Sequence, residues 1–151
     1  MDRHKGKALF MAFMAGILGA CTGERPNNLG MVNGVLAPCP SSPNCVSSMS
    51  SDAGHRIEPI PYRGDARTAF VQLRETLARR SDVKLVEEKF PYLRVELRTN
   101  FFVDDGEFLL DEKQRVIHVR SASRVGYYDL GKNRKRMEEI RSEFRDSGGK
   151  M

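Results

Sequence analysis

Apolar side chains recur at helical spacing in two parts of the chain. In residues 64–80 they are separated by four, three and four positions, at Ala66, Phe70, Leu73 and Leu77. This spacing places them on one face of an amphipathic helix, and Asp65 stands where a helix N-cap is expected. A second helix is predicted from about residue 130 to 145, with its inner face formed by Leu130, Met137, Ile140 and Phe144.

Between these helices the pattern changes to alternation of apolar and polar residues, which is typical of strands. Strands are predicted over residues 83–90, 92–99, 101–103, 107–111 and 115–123, with a hairpin turn at 111–114. The pair Asp104 and Asp105 is expected in a solvated turn. Residues 56–62 also alternate but contain prolines, which restricts them to an edge strand or an extended arm.

The predicted fold class is α+β, in the order β-α-β-β-β-β-α. Two amphipathic helices need one apolar sheet face, so we expect a two-layer domain with an antiparallel sheet of about four to five strands and both helices on one side. The domain is expected to span residues 38–147. The opposite sheet face would carry Arg94, Glu96, Arg98, His118 and Arg120, and is expected to be either solvated or a binding surface.

The N-terminal residues have the features of an export signal. In residues 1–20, basic residues precede an uncharged run that has the length of a signal-peptide core and is too short to span a bilayer comfortably. The run ends in Leu18-Gly19-Ala20-Cys21, which resembles the bacterial lipobox, where cleavage leaves a lipidated cysteine at the new N-terminus. We therefore predict a lipoprotein signal peptide at 1–20 and lipid on Cys21. The alternative is a short membrane anchor with an incidental cysteine.

Lipidation of Cys21 would place the protein in the bacterial cell envelope, held to the membrane by its lipid. Thr22 follows the cysteine instead of Asp, which favours the periplasmic face of the outer membrane if the source is Gram-negative. Residues 21–37 are predicted to be the lipidated residue and a flexible tether rich in Gly and Asn, reaching roughly 20 Å.

Cys39 and Cys45 are expected to form a disulfide, because they are close in sequence, separated by prolines and carried by an exported domain. A redox pair is the first alternative, although its usual spacing is shorter. A metal site is the second, but few further thiol or imidazole ligands are present, and unpaired thiols are the third.

The charge of the chain does not by itself identify a partner. The net charge of +5 and the pI near 9.3 include +2 from the predicted signal peptide, and the remainder is ordinary for a soluble domain. Nucleic acid is excluded by the expected compartment. The expected partners are the membrane, through the lipid on Cys21, and a small anionic ligand or an envelope protein.

Polar chemistry is concentrated where the last strand leads into the last helix, over residues 120–136, which we call the junction. Its predicted anion-binding residues are Arg120, Ser121, Ser123, Arg124 and Arg134, beside the free amides of a helix N-terminus. Its predicted structural residues are Gly126, Asp129, Gly131 and Asn133. The alternative is that the whole junction is structural, with Asp129 and Asn133 capping the turn and the arginines paired with local acids.

Residues 39–48, 120–126 and 129–136 together resemble the bacterial family catalogued as domain of unknown function 1499, over about residues 36–146. The resemblance implies that Cys39 and Cys45 belong to the domain, and it implies no activity. No catalytic residue, cofactor or metal site is predicted. The favoured function is a non-catalytic binding or interaction module, and the alternative is a small envelope hydrolase whose site forms only in the fold.

Overall fold

Eight strands and two helices follow one another along residues 23–148, the part of the chain that the computed structural model describes. In chain order they are β1 (Met31–Val32), β2 (Val35–Leu36), β3 (Cys45–Ser47), β4 (Ile60–Pro61), α1 (Ala66–Ala78), β5 (Val83–Lys89), β6 (Tyr92–Arg98), β7 (Val103–Asp111), β8 (Val116–Ser123) and α2 (Lys132–Gly148). The predicted signal peptide at 1–20 and the predicted lipid site at Cys21 lie outside the described residues.

The main sheet is antiparallel and is built on the meander β5 to β8. Its order is β3-β8-β7-β6-β5, and β4 also pairs with β8, further along the same edge as β3. The α+β class is confirmed, but the strand count and order differ from the prediction, since the sheet has six strands and β1 and β2 form a separate hairpin. The additional strands are two or three residues long, too short to produce an alternating pattern.

Strand β7 is continuous, although the sequence predicted a turn within it. Asp104 and Asp105 pair with β6 and β8 in the middle of the sheet and are 5% and 0% exposed. Burial of adjacent carboxylates is possible because arginines reach both: Arg136 bonds to Asp104 and Arg124 to Asp105.

The hydrophobic core lies between one sheet face and the two helices, as predicted. Its fully buried side chains include Leu73 and Leu77 from α1, Met137 and Ile140 from α2, and Leu93, Val95, Leu97, Phe108, Ile117 and Val119 from the sheet. The predicted N-cap is also present, with Asp65 Oδ1 accepting a bond of 3.0 Å from the amide of Thr68. Leu130 is an exception, because it precedes α2 and is 77% exposed instead of facing the core.

The second face of the sheet, opposite the helices, is covered by residues 23–36. The amide of Gly30 donates to Glu107 of β7 at 2.7 Å, and Leu36 packs with Tyr92 and Leu109 in a small apolar cluster. The part of the predicted tether that the structure describes therefore packs on the domain. Of the two alternatives expected for this face, solvated or a binding surface, the solvated one is wrong for Arg94 and Arg120, which are 3% and 2% exposed.

Cys39 and Cys45 form a disulfide with their Cα atoms 5.7 Å apart, which confirms the predicted pairing. The bond closes the loop that leads into β3. Neither helix found between residues 23 and 148 is long and apolar enough to cross a membrane.

Candidate functional site

The junction is organised around the side chain of Asn133, which is fully buried in the first turn of α2. Its Oδ1 accepts a bond from the hydroxyl of Ser121. Its Nδ2 approaches three acceptors: the backbone carbonyl of Asn44 at 3.0 Å, Ser123 Oγ at 2.9 Å and Asp129 Oδ2 at 2.8 Å. One amide thus joins strand β8 and the residue before β3 to the start of the helix.

Asp129 closes the turn in front of α2. Its Oδ1 accepts from the amide of Gly131 and its Oδ2 from the amide of Asn133, both at 2.9 Å. Gly131 and Gly126 have φ values of 74° and 90°, in the left-handed region that glycine adopts without strain. These contacts stabilise the loop between β8 and α2.

The five side chains predicted to bind an anion are not brought together. Arg120 and Arg124 project onto the second face, whereas Ser121 and Ser123 point the other way and bond to Asn133. Arg134 donates to the backbone carbonyls of Arg56 and Gly54, at 2.7 and 3.1 Å. An anion at the junction would therefore have to displace partners that these groups already have.

Charged side chains form a layer between the second face and residues 23–36. The charged layer consists of three arginines and three acids from neighbouring strands: Arg94, Arg120, Arg124, Glu96, Asp105 and Glu107. The strand register sets Glu107 in one row between Arg94 and Arg120. The three positive and three negative formal charges of the charged layer cancel, which is the usual condition for burying charged side chains.

Glu107 is the most highly connected acid of the charged layer and is 0% exposed. Its Oε2 accepts from Arg120 Nη1 at 2.8 Å, and its Oε1 accepts from the Tyr92 hydroxyl at 2.8 Å and the Gly30 amide at 2.7 Å. Burial, reinforced by this carboxylate, raises the pKa of Tyr92 above its ordinary value.

Arg124 is bound by two carboxylates. Its Nε and Nη2 donate to both oxygens of Asp105 at 2.7 and 2.8 Å, and Nη2 also donates to Glu96 at 3.0 Å. The bonds to Asp105 raise the pKa of the Arg124 guanidinium, and bonds from Arg98 and Arg124 lower the pKa of Glu96. Both shifts favour the charged forms of Arg124 and Glu96.

Arg94 differs from the other arginines of the charged layer because it has no good partner. Its side chain is 3% exposed, yet the nearest carboxylate oxygens, on Glu87 and Asp105, are 3.7 and 3.8 Å away. Its Nε and Nη1 have no hydrogen-bond partner among the described residues, and neither does Nε of Arg120. Buried donors without acceptors are rare and point to a group outside residues 23–148, such as water or an ion.

A serine, a histidine and an aspartate also meet on the second face. Ser48 Oγ lies 3.2 Å from His118 Nδ1, and His118 Nε2 lies 3.9 Å from Asp111 Oδ2. Burial lowers the pKa of His118, which keeps the ring neutral. Ser48 is buried and its Oγ accepts a bond from the amide of Val119 at 2.9 Å, so the hydroxyl has a structural partner already.

Comparison with known proteins assigns the chain to a family. A family model described as "Protein of unknown function (DUF1499)" matches residues 35–144. The chain belongs to this family. The DUF1499 match covers the disulfide, the charged layer and the junction, and it begins within β2. No curated protein and no solved structure matches the chain.

Sequence reasoning placed Arg94 on a face that was either solvated or a binding surface without singling it out, and it did not place Glu107 there. Nothing local distinguishes these two residues from other outward-facing strand residues. Asp105 gave a weak signal, since two adjacent acids stand between apolar segments. No group of three or more His, Cys, Asp or Glu side chains within residues 23–148 is arranged to hold a metal ion.

Proposed function

We propose that the protein is a cell-envelope lipoprotein whose domain is a non-catalytic binding module for a small anion, with Arg94 as the principal contact. The observation that carries the proposal is the buried guanidinium whose Nε and Nη1 lack partners. A carboxylate, phosphate or sulfate oxygen would accept a charge-assisted hydrogen bond from either donor, and the two donors lie on different edges of the guanidinium. Arg120 Nε, across the row from Arg94, is a second donor on the same face.

The unpartnered donors favour an anion at this position instead of at the junction. Asp105 is bound at both oxygens by Arg124, and its nearest oxygen lies 3.8 Å from Arg94 Nη1, too far for a hydrogen bond. A buried charge without a hydrogen-bonded partner is strongly unfavourable, and one anionic group would relieve this. Residues 23–36 cover the face, which restricts the ligand to a small one or to one that enters by its anionic end.

Thermal scans at constant ionic strength test the anion site with inorganic phosphate and with acetate as probes. A ligand at 100 times its dissociation constant stabilises the fold by about 2.7 kcal/mol, which corresponds to a rise of roughly 5–10 °C in melting temperature for a chain of this size. Arg94→Met should abolish this gain. Since the removed donors have no partner in the fold, Arg94→Met should leave the ligand-free stability unchanged or raised.

Arg134→Met is the matched control, because it removes a cationic side chain of the junction that lies outside the charged layer. It should retain the gain caused by phosphate or acetate. If the anion raises the melting temperature equally in wild type and Arg94→Met, the site is not at Arg94. If only Arg134→Met loses this rise, the anion binds at the junction. If no anion raises the wild-type melting temperature, the donors of Arg94 are hydrated and the proposal fails.

The membrane attachment predicts a separate result for Cys21→Ser. In cells that express the full chain, this change should abolish incorporation of labelled palmitate and leave an unprocessed precursor, because the lipid and the cleavage both require the cysteine. Cys39→Ser is the control, since it removes a thiol that the fold pairs with Cys45 and should leave labelling intact. Palmitate incorporation that is unchanged in Cys21→Ser would refute the lipoprotein assignment.

A small envelope hydrolase remains the second candidate, because His118 lies between Ser48 and Asp111. Two features weigh against it. The Ser48 hydroxyl accepts from the Val119 amide, and Asp111 Oδ1 accepts from the amides of Lys113 and Gln114 in the β7–β8 turn. The described clefts, one between α1 and α2 and one beside β4, are not lined by any of the three.

A further inference from the structure

Six apolar side chains are exposed on two loops at one end of the sheet. This apolar patch consists of Phe101, Phe102, Val125, Tyr127, Tyr128 and Leu130, which are 42–77% exposed. Large apolar side chains that are exposed singly need no explanation, but several on neighbouring loops indicate a surface that contacts something else.

The two loops are neighbours because of the strand register. Residues 99–102 connect β6 to β7, and residues 124–131 connect β8 to α2. Since Asp104 of β7 pairs with Ser123 of β8, the two loops leave adjacent strands at the same end, about 5 Å apart. The β7–β8 turn at residues 112–115 lies at the opposite end.

The described chain also begins at this end. A Cβ atom on Gly23 would lie 2.6 Å from Val125 Cγ2 and 2.8 Å from Arg124 Cβ, so the backbone of Gly23 rests against the 124–131 loop. Cys21 is two residues earlier, and a fully extended chain covers at most ~7 Å over that distance. A lipid on Cys21 would thus be attached within reach of the apolar patch.

Leu130 occupies a conformation that leucine seldom adopts. Its φ is 56°, in the left-handed region, and its side chain is 77% exposed. Asparagine or glycine would take this backbone conformation with less strain. No contact within the described fold explains a leucine here, which indicates that its partner lies outside the domain.

Two lysines lie next to the apolar patch, and the acid of the same loop, Asp129, is bound by the amides of Gly131 and Asn133. The first turn of α2 contains no acidic residue, and it carries Lys132 and Lys135, both exposed. Cations at a helix N-terminus face the positive end of its dipole, so they favour a negatively charged surface nearby. Anionic lipid headgroups provide such a surface.

We infer that the loop end of the domain lies directly on the bilayer, with the apolar patch in the headgroup region and Lys132 and Lys135 against anionic lipid. The inference rests on the proposed lipid anchor at Cys21 and adds a direct contact between the protein and the membrane. Tyrosine and phenylalanine suit this position, because aromatic side chains concentrate at the membrane–water interface. The domain would then be held against the membrane, instead of at the distance that a flexible tether would allow.

The absence of tryptophan from the chain allows a site-specific test. The full-length chain, processed in cells, is reconstituted in vesicles of phosphatidylcholine and phosphatidylglycerol, with and without brominated acyl chains, as Tyr127→Trp and as Gln114→Trp. Gln114 is exposed in the β7–β8 turn at the far end of β8. We expect about twofold more quenching of Tyr127→Trp than of Gln114→Trp, since interfacial aromatic rings lie at headgroup level.

Adding Leu130→Asn to Tyr127→Trp should reduce the quenching while keeping the fold, because asparagine tolerates a positive φ. Equal quenching at residues 127 and 114 would overturn the inference. The lipid anchor is checked separately by the intact mass of the protein. Lipid found on Cys21 would support the anchor even if the contact fails, and a chain without that lipid would contradict the anchor alone. In that case quenching of Tyr127→Trp in pelleted vesicles would still support the contact, and its absence would refute it.

Discussion

Removing the carboxylate of Glu107 should lower the free energy of unfolding by about 3–5 kcal/mol, the range expected when one partner of a buried ion pair is deleted. Glu107→Ala leaves the Arg120 guanidinium buried without its 2.8 Å partner, and the Tyr92 hydroxyl and the Gly30 amide lose their acceptor. Urea unfolding of residues 21–151, expressed without residues 1–20 and with Cys21→Ser, measures the change.

Glu107→Ala removes both a charge partner and side-chain volume. The double variant Glu107→Leu, Arg120→Met shows how much of the lost stability comes from the unpaired charge. When both charges are replaced by apolar side chains of similar size, the penalty for an unpaired charge disappears, so the double variant should be more stable than Glu107→Ala. Glu75→Ala, on the exposed side of α1, should change stability by less than about 0.5 kcal/mol. Glu107→Leu and Arg120→Met are also measured singly. If the loss of stability in the double variant equals the sum of the two single losses, the two groups do not interact.

Asn133→Ala should cost about 3 kcal/mol, since it leaves several buried groups without partners at about 1–3 kcal/mol each. The Ser121 hydroxyl, 0% exposed, loses its acceptor, and the carbonyl of Asn44 loses a donor. Because these groups lie on β8 and directly before β3, the change loosens the attachment of α2 to the sheet. The same urea titration measures it.

Asn100→Ala is the matched control for Asn133, because Asn100 is exposed in the β6–β7 loop. Its effect should stay within about 0.5 kcal/mol. Asn133→Asp keeps an acceptor for Ser121 but turns a carboxylate toward Asp129 and the Asn44 carbonyl, so it should be no milder than alanine. A small effect of both changes at residue 133 would show that water replaces the amide, and the junction would not depend on it.

The helices could be predicted because their signals are local. Residues 64–80 were predicted and α1 spans Ala66–Ala78, with Asp65 at the N-cap as expected. The predicted strands at 83–90 and 92–99 agree closely with β5 and β6. In each case the periodicity lies within one element, so it is visible without knowing what packs against it.

The second face of the sheet could not be predicted because its cover comes from far away in sequence. Alternation along β6 correctly separates Leu93, Val95 and Leu97 from the polar residues, but it cannot distinguish a wet face from a covered one. Residues 23–36 have little periodicity, and they are ordered by contacts with distant groups such as Glu107, 77 residues away from Gly30. The same reason explains the misplaced turn at Asp104 and Asp105, whose arginine partners belong to other elements.

The candidate site was only partly accessible from sequence. The junction stood out because its polar residues are contiguous, and the structure places Asn133 and Asp129 at its centre. The direction of each arginine was not accessible, since Arg120 and Arg124 turn to the opposite face from Ser121 and Ser123. Arg94 emerges only when its neighbours are known, because its importance lies in the partners it lacks.

The cover over the charged layer sets an order of events during folding. Residues 23–36 are synthesised before nearly all of the domain, yet the acceptor for Gly30 is on β7, 77 residues later. Contacts between distant residues require costly loop closure, so they form after the local hairpins. We therefore expect β6, β7 and β8 to pair while their charges are still hydrated, and the first residues of the domain to dock last, removing that water in the final step.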